Sequence, residues 1–483
     1  MNDHRPNEKT IRHIRWMIWL YFWLLIFEGA LRKWVVPALS NPLLIVRDPV
    51  ALAAYILALR AGIFPWNRWV KAIALISVLS VALSFVQMWP YLSPFRIALV
   101  AGFGFRSDFL HLPLIFLIPR VMRLEDVKRL GWWTLVLILP MTLLMVGQFR
   151  SAPDAFLNWT AGGEGESEMM LSALGKVRTA ATFSFVVGVV AYFSLATAYV
   201  MWAALRRDVY PVWLLIAAGS AIVIGVAVSG SRSVVAACAV VVASLLVVLL
   251  LRPSAVNRFG QTLLAVIVCG FILTKVPIFK EGFEVLTTRF NEVAQASDKS
   301  IGVGMIERIA GTFQDGFFVL TKAPFLGYGL GIGTNAGAKF LTGRSMFLLS
   351  EGEWSRNLLE SGPVLGLAFV LWRLALVIAI ALLCLRSVRR GNLLPLLLFA
   401  SSAPPLLSGQ FGQPTILGFA VFTTGLALAA KGVEDLAPEP NLIAADPAAL
   451  PPRRPMRRSA YTSRLHGPST PQRPGHTNGS VDR

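Results

Sequence analysis

The chain is poor in charge: Asp, Glu, Lys and Arg make up 15% of its 483 residues, against 55% hydrophobic ones. That balance excludes an ordinary soluble domain, in which roughly a quarter of residues are charged. Acid is scarcer still, with 26 Asp and Glu against 45 Lys and Arg and a formal net charge of +19. A basic excess of this kind fits nucleic acid in principle. Here the basic residues flank apolar runs, where bilayer topology alone asks for them, so no nucleic-acid partner is expected. The three cysteines, Cys238, Cys269 and Cys384, all fall inside apolar runs, so no disulfide outside a membrane is expected. The five histidines, His4, His13, His111, His466 and His476, are scattered, which gives no metal-ligand cluster and no expectation of a cofactor. The first apolar run, from about Trp16, leads into Glu28 and Arg32-Lys33 and not into a small-residue cleavage site. It reads as a retained helix, not a signal peptide.

What the chain has in quantity is apolar runs of about 20 residues, the length that crosses a bilayer as helix. They predict an all-α polytopic membrane protein with about twelve spans, near 15–35, 43–61, 70–89, 96–120, 131–149, 182–204, 211–229, 233–251, 261–279, 363–385, 393–409 and 415–431. Basic residues alternate with these spans: Arg5, Lys9, Arg12 and Arg15, then Arg60, Arg68 and Lys71, then Arg120, Arg123, Lys128 and Arg129, then Arg206 and Arg207, then Arg252 and Arg258, then Arg386, Arg389 and Arg390. The positive-inside rule makes that side the cytoplasm, with residues 1–14 as a cytoplasmic N-terminus and the transmembrane domain over 15–431. The tail 432–483, rich in Pro, Ala, Ser and Arg without apolar periodicity, is expected to be disordered and cytoplasmic, touching anionic lipid through Arg453, Arg454, Arg457 and Arg458. No repeat relates the two halves, which weighs against an inverted-repeat transporter.

One long polar stretch interrupts this pattern. Residues 280–362 hold eight Lys and Arg against nine Asp and Glu and are expected as a single extracytoplasmic loop, the place where chemistry would sit. Its end, Glu351-Gly-Glu-Trp-Ser-Arg-Asn-Leu-Leu-Glu-Ser-Gly-Pro363, returns to the bilayer with three acids and an arginine. Other arginines stand where topology does not demand them: Arg32 beside Lys33, Arg47, Arg96, Arg106, Arg178 and Arg232. An arginine near the bilayer centre costs about 2.5 to 3.5 kcal/mol on insertion scales, so it faces a partner or a polar ligand. For Arg47 with Asp48 and for Arg106 with Asp108, intramembrane pairing and ligand contact are equally open. Arg178 and Arg232, each at an outer helix mouth, point to a shared anion, because a guanidinium offers phosphate two parallel hydrogen bonds.

Four segments carry a family resemblance. They are the Val228-Ser-Gly-Ser-Arg-Ser233 turn, the Val177-Arg-Thr-Ala-Ala-Thr-Phe183 entry, Glu307-Arg308 followed by Ala323-Pro-Phe-Leu-Gly-Tyr-Gly-Leu-Gly331, and Glu360-Ser-Gly-Pro-Val-Leu-Gly366. Together they resemble the O-antigen ligase and O-antigen polymerase superfamily over roughly residues 170–370. The resemblance implies a glycosyltransferase of the bacterial inner membrane, multi-pass with both termini cytoplasmic, that moves a glycan from polyprenyl diphosphate to an acceptor hydroxyl in surface polysaccharide biosynthesis. Membrane lipids and other polysaccharide assembly proteins are the implied partners. Arg178, Arg232 and Arg308, with Arg32, would bind the diphosphate, and a base near the acceptor would complete the chemistry.

The ligases of that family carry a His-Asn pair about ten residues before the Glu-x-Gly helix entry, and here that place reads Glu351-Gly-Glu353-Trp-Ser-Arg356. The missing histidine favours polymerase over ligase. It leaves two readings of the acids: Glu351 or Glu353 serves as the base beside Arg356, or both are structural partners of Arg356 at a helix start. The rival function is a non-enzymatic transporter or flippase for lipid-linked sugars or polysaccharide, and a third reading is an assembly partner that has lost catalysis.

Overall fold

The computed structural model describes residues 8–161, 172–206, 208–251, 277–297, 311, 314–316, 318–344 and 346–431. Every helix or strand element among them is helical. In chain order they are α1 (Glu8–Ala30), continued by a π-helical turn over Leu31–Val35, α2 (Ser40–Leu43), α3 (Arg47–Arg60) and α4 (Arg68–Met88). Then come α5 (Pro94–Phe105), continued by a π-helical turn over Arg106–Leu110, α6 (Leu114–Val121), α7 (Leu124–Arg150), α8 (Val186–Leu205), α9 (Val212–Val228) and α10 (Arg232–Leu251). The last five among the described residues are α11 (Pro277–Ser297), α12 (Asn335–Thr342), α13 (Glu353–Arg389), α14 (Leu394–Ser408) and α15 (Pro414–Ala430); short 3-10 turns occur elsewhere along the chain.

Six helices among the described residues are long and apolar enough to cross a membrane, and seven if α5 and α6, bent by 44° at their junction, form one crossing. The helices α9, α10, α14 and α15 are apolar but shorter. Helix occupies the expected spans except 261–279, most of which lies outside the described residues, as does the tail 432–483. The first helix begins at Glu8, ahead of the expected start at 15. The stretch 280–362 is not one loop: α11 and α12 lie in it, and α13 starts at Glu353. α11 was hidden because its apolar residues recur on one face only, with Lys280, Glu281, Glu284 and Arg289 between them, so it carries no 20-residue apolar run.

Helices α8 and α15 bury nearly their whole circumference and form the middle of the bundle, whereas α4 leaves Leu75, Val78, Leu79 and Val86 exposed on its outer side. A helix satisfies its own backbone, so an apolar surface there is compatible with lipid. Contacts between helix ends sort them into two opposite layers. In one, Arg15 donates to the Val121 carbonyl and pairs with Asp126, Arg120 reaches the carbonyls of Ile63 and Phe64, Tyr210 reaches that of Lys128, and Asn392 that of Ala430. In the other, Trp34 donates to the Phe156 carbonyl, Arg32 to Ser184, Thr179 to the Val228 carbonyl, Ser84 accepts from the Leu330 amide, and Gln410 donates to the Glu351 carbonyl.

The second layer contains a break in α13 that shapes the site. Pro363 has no N–H, so it cannot bond the Leu359 carbonyl one turn back, and Gly362 turns to φ 73°, a conformation that favours glycine. The freed carbonyls are taken by a glycine-rich segment: the Tyr328 amide donates to Leu359 at 2.8 Å and the Gly329 amide to Glu360 at 2.9 Å. A Cβ on Gly362 would press on the carbonyl oxygen of Phe325 at 2.5 Å. Two of the segments that carried the family resemblance, 323–331 and 360–366, are therefore one packed unit.

Candidate functional site

The head of α13 places Glu353, Arg356 and Glu360 at spacings of three and four, on one face of the helix. That face is buried, and Arg356 is held by three carboxylates. Its Nη2 donates to Asp108 at 2.6 Å and to Glu353 at 3.1 Å, its Nη1 to Glu360 at 2.9 Å and Asp108 at 3.3 Å, and its Nε to Glu353 at 3.2 Å. Asp108 arrives from the π-helical turn after α5, where the widened turn ends the regular helix. Glu353 also accepts from Arg373, which sits 20 residues further along α13 and is wholly buried. The remaining Arg373 donors go to the carbonyls of Leu406, Pro405 and Gly409 around the C-terminal turn of α14, where helix carbonyls lack a following turn. The Glu360 Oε1 accepts from the Gly333 amide at 2.8 Å, which ties the charged face to the glycine-rich segment.

In front of this face is a shallow, open cleft, lined by Thr334, Asn335, Phe347, Ser350, Glu351, Glu353, Arg356, Gln410 and Gln413 with Gly333 and Gly412. All three residues expected to be catalytic line it, but they are not equivalent. Glu353 is 2% exposed and its oxygens are occupied by two guanidinium groups. Glu351 is exposed and forms no ion pair among the described residues; only its backbone carbonyl is bonded, by Gln410 at 2.8 Å. Structural pairing with Arg356 thus holds for Glu353 and not for Glu351.

A second buried network lies at the ends of α1 and α3. Glu28 accepts from Arg47 at 3.0 Å and Arg32 at 3.4 Å; Asp48 accepts from Arg106 and bonds His111 at 3.1 Å, whose other nitrogen meets the Tyr21 hydroxyl at 3.2 Å. The sequence neighbours Arg47 with Asp48, and Arg106 with Asp108, do not pair with each other. Each bonds across helices, because side chains one or two residues apart on a helix point in different directions and do not face each other. Arg106 and Asp108 join the two networks through one π-helical turn, the first facing Asp48 and the second Arg356. Lys33, 1% exposed, donates to the Ala181 carbonyl at 2.6 Å and lies 4.2 Å over the Trp34 ring.

Of the residues expected to bind diphosphate, Arg32 belongs to this second network and also reaches Ser40 and Ser184. Arg178 and Arg232 come from stretches that pack on each other: the Ser172 hydroxyl donates to the Gly230 carbonyl at 3.2 Å, Thr179 to that of Val228 at 3.2 Å, and Gly230 at φ 59° turns the chain between them. Both arginines are half-buried. Arg308 lies outside the described residues. Arg373 was not singled out from the sequence, Asp108 was weighed only with its neighbour Arg106, and Glu28 was noted only as the end of an apolar run; one signal was present for Arg373, a lone charge within the apolar run from Pro363 to Leu385.

Comparison of the chain with protein-family models, with curated proteins and with solved structures found no match. Chemically, the arrangement offers one exposed carboxylate in a cleft of amides and hydroxyls, backed by a rigid salt-bridged floor, and a cationic region elsewhere in the same layer of helix ends.

Proposed function

We propose that the chain is a polytopic membrane glycosyltransferase of the O-antigen polymerase type that transfers a glycan from polyprenyl diphosphate to an acceptor hydroxyl. The observation that carries this reading is the cleft holding Glu351 unpaired over a floor in which Arg356 fixes Asp108, Glu353 and Glu360. In the reaction, the acceptor oxygen bonds the anomeric carbon while the bond from that carbon to the diphosphate oxygen breaks. The acceptor proton passes to Glu351 and the electron pair leaves with the diphosphate. Arg32, Arg178 and Arg232 of the cationic region, together with Arg308 from outside the described residues, balance the charge on the leaving diphosphate. Glu353 is a positioning residue for the floor.

In this reading about twelve spans cross the inner membrane of a bacterium, both termini are cytoplasmic, and the layer with the cleft faces outward. The sorting of helix ends into two layers supports that topology. A cysteine introduced by Ser300→Cys should react with an impermeant maleimide on intact cells; reaction only after permeabilisation would reverse the sidedness. The activity is tested by reconstituting the full chain in vesicles with undecaprenyl-diphosphate oligosaccharide. Elongated glycan is the expected product, and its absence across donor and acceptor combinations drawn from the native host would refute the enzyme reading.

A flippase reading draws on a different observation, the ionisable Arg106 and Asp108 at the bent junction of α5 and α6, since transporters place such groups at broken helices. It requires the lipid-linked sugar to change leaflet in the same vesicles without growing longer.

A further inference from the structure

We propose that the cleft at the head of α13 seats a neutral sugar ring of the acceptor, and that the diphosphate of the donor is kept out of it. The inference rests on the glycosyltransferase reading and adds which substrate occupies which part of the layer. Charge is the first argument. Among the described residues Arg356 is the single cation lining the cleft, and its Nε, Nη1 and Nη2 are all engaged by Asp108, Glu353 and Glu360. Two guanidinium groups, Arg356 and Arg373, face three carboxylates there, and Glu351 adds a fourth acid at the rim. A multiply charged phosphate entering this space would meet net negative charge and no free guanidinium donor of Arg356.

The neutral wall is the second argument. The Gln413 amide donates to the Gln410 Oε1, and the Gln410 amide donates to the Glu351 carbonyl, so the two amides are fixed relative to each other before any ligand arrives. This leaves the Gln413 carbonyl and one N–H on each amide to meet hydroxyl groups, which both donate and accept. Ser350 and Asn335 add further groups of the same kind. Phe347, 46% exposed, gives the cleft an aromatic face, and the negative face of a ring attracts the C–H edge of a sugar. Glu351 lies in the same wall, within the space where an acceptor hydroxyl would be held.

The test uses the full chain in detergent and saturation-transfer NMR with the methyl glycosides of glucose, galactose, mannose and N-acetylglucosamine, with inorganic pyrophosphate as competitor. At least one glycoside should receive saturation and survive added pyrophosphate. Phe347→Ala and Gln413→Ala should each weaken it by about 10-fold while melting like the parent, since both side chains are partly exposed. Binding by none of the four, displacement by pyrophosphate, or unchanged binding in both variants would overturn the proposal. Glycan transfer from undecaprenyl diphosphate is measured on the same preparations. Sugar bound in the cleft without any transfer refutes the enzyme reading and keeps the seat. Transfer with an unchanged acceptor KM in Phe347→Ala refutes the seat and keeps the enzyme.

Discussion

The two buried charge networks have opposite formal signs. At the head of α13, Arg356 and Arg373 meet Asp108, Glu353 and Glu360; at the ends of α1 and α3, Arg32, Arg47 and Arg106 meet Glu28 and Asp48, with Lys33 close by. One turn of chain, Arg106 to Leu110, belongs to both. The number of buried charges does not decide what each network can bind. The first network is a closed floor in which the Arg356 nitrogens are all engaged by carboxylates, while the second keeps cationic excess: the Arg47 Nη1 is buried with no hydrogen-bond partner. A substrate pair with one anionic and one neutral end would find a place at each.

The largest effect should come from opening the closed floor. Arg356→Met takes the cation from buried Asp108 and Glu360 and leaves Glu353 to Arg373 alone, and truncating one partner of a buried pair costs about 3 to 5 kcal/mol. Little folded protein is expected by size exclusion in detergent, and a melting temperature near that of the parent would show that the floor does not hold the fold. The corresponding change in the cationic network, Glu28→Gln, leaves Arg32 and Arg47 facing a neutral amide that still accepts a hydrogen bond. A loss of about 2 to 3 kcal/mol is expected, smaller than for Arg356→Met because a hydrogen-bond acceptor remains in place. If Glu28→Gln melts lower than Arg356→Met, the ranking of the two networks is reversed.

Gly418 sharpens the comparison from the packing side. A Cβ there would collide with the Arg47 Nη1 and stand 2.6 Å from Leu25, and Arg47 has little room to yield because Glu28 holds its Nε. Gly418→Ala should cost about 1 to 3 kcal/mol by overpacking, and the same melting assay checks it. A neutral result would mean that Arg47 is free to move and that its pairing with Glu28 is loose. The smallest effect on stability belongs to Glu351→Gln, within about 0.5 kcal/mol as for most exposed positions. Its effect on glycan transfer should be a loss of roughly 10² to 10⁴, the range for a general base. Normal polymer length in this variant would remove Glu351 from the chemistry. Glu353→Gln, which melts as well as reacts, cannot make that distinction.

Much of the helical plan was legible because a 20-residue apolar run has few alternatives in a chain this hydrophobic. Where legibility failed, the pattern was amphipathic or interrupted. The 280–362 stretch was expected as loop, but α11 buries one face against the end of α9, with Gly282 in close contact with Ala227 and Val228. Glu351, Glu353 and Arg356 were legible as a group because acids and an arginine crowd one helix entry. Their division into a buried pair and an exposed acid was not, since residues two apart differ in burial only through what packs on each side of the helix.

By itself, the sequence determined the all-helical class, the apolar segments and the stock of charges that a low-dielectric interior must pair, all of which depend on residue type and spacing along the chain. Only the tertiary structure decided which charge meets which. Arg356 finds Asp108 across 248 residues and Arg47 finds Glu28 across 19, because pairing is set by which helix faces pack together. The same packing docks the glycine-rich segment on the break at Gly362, and so builds the cleft from residues that no local pattern joins.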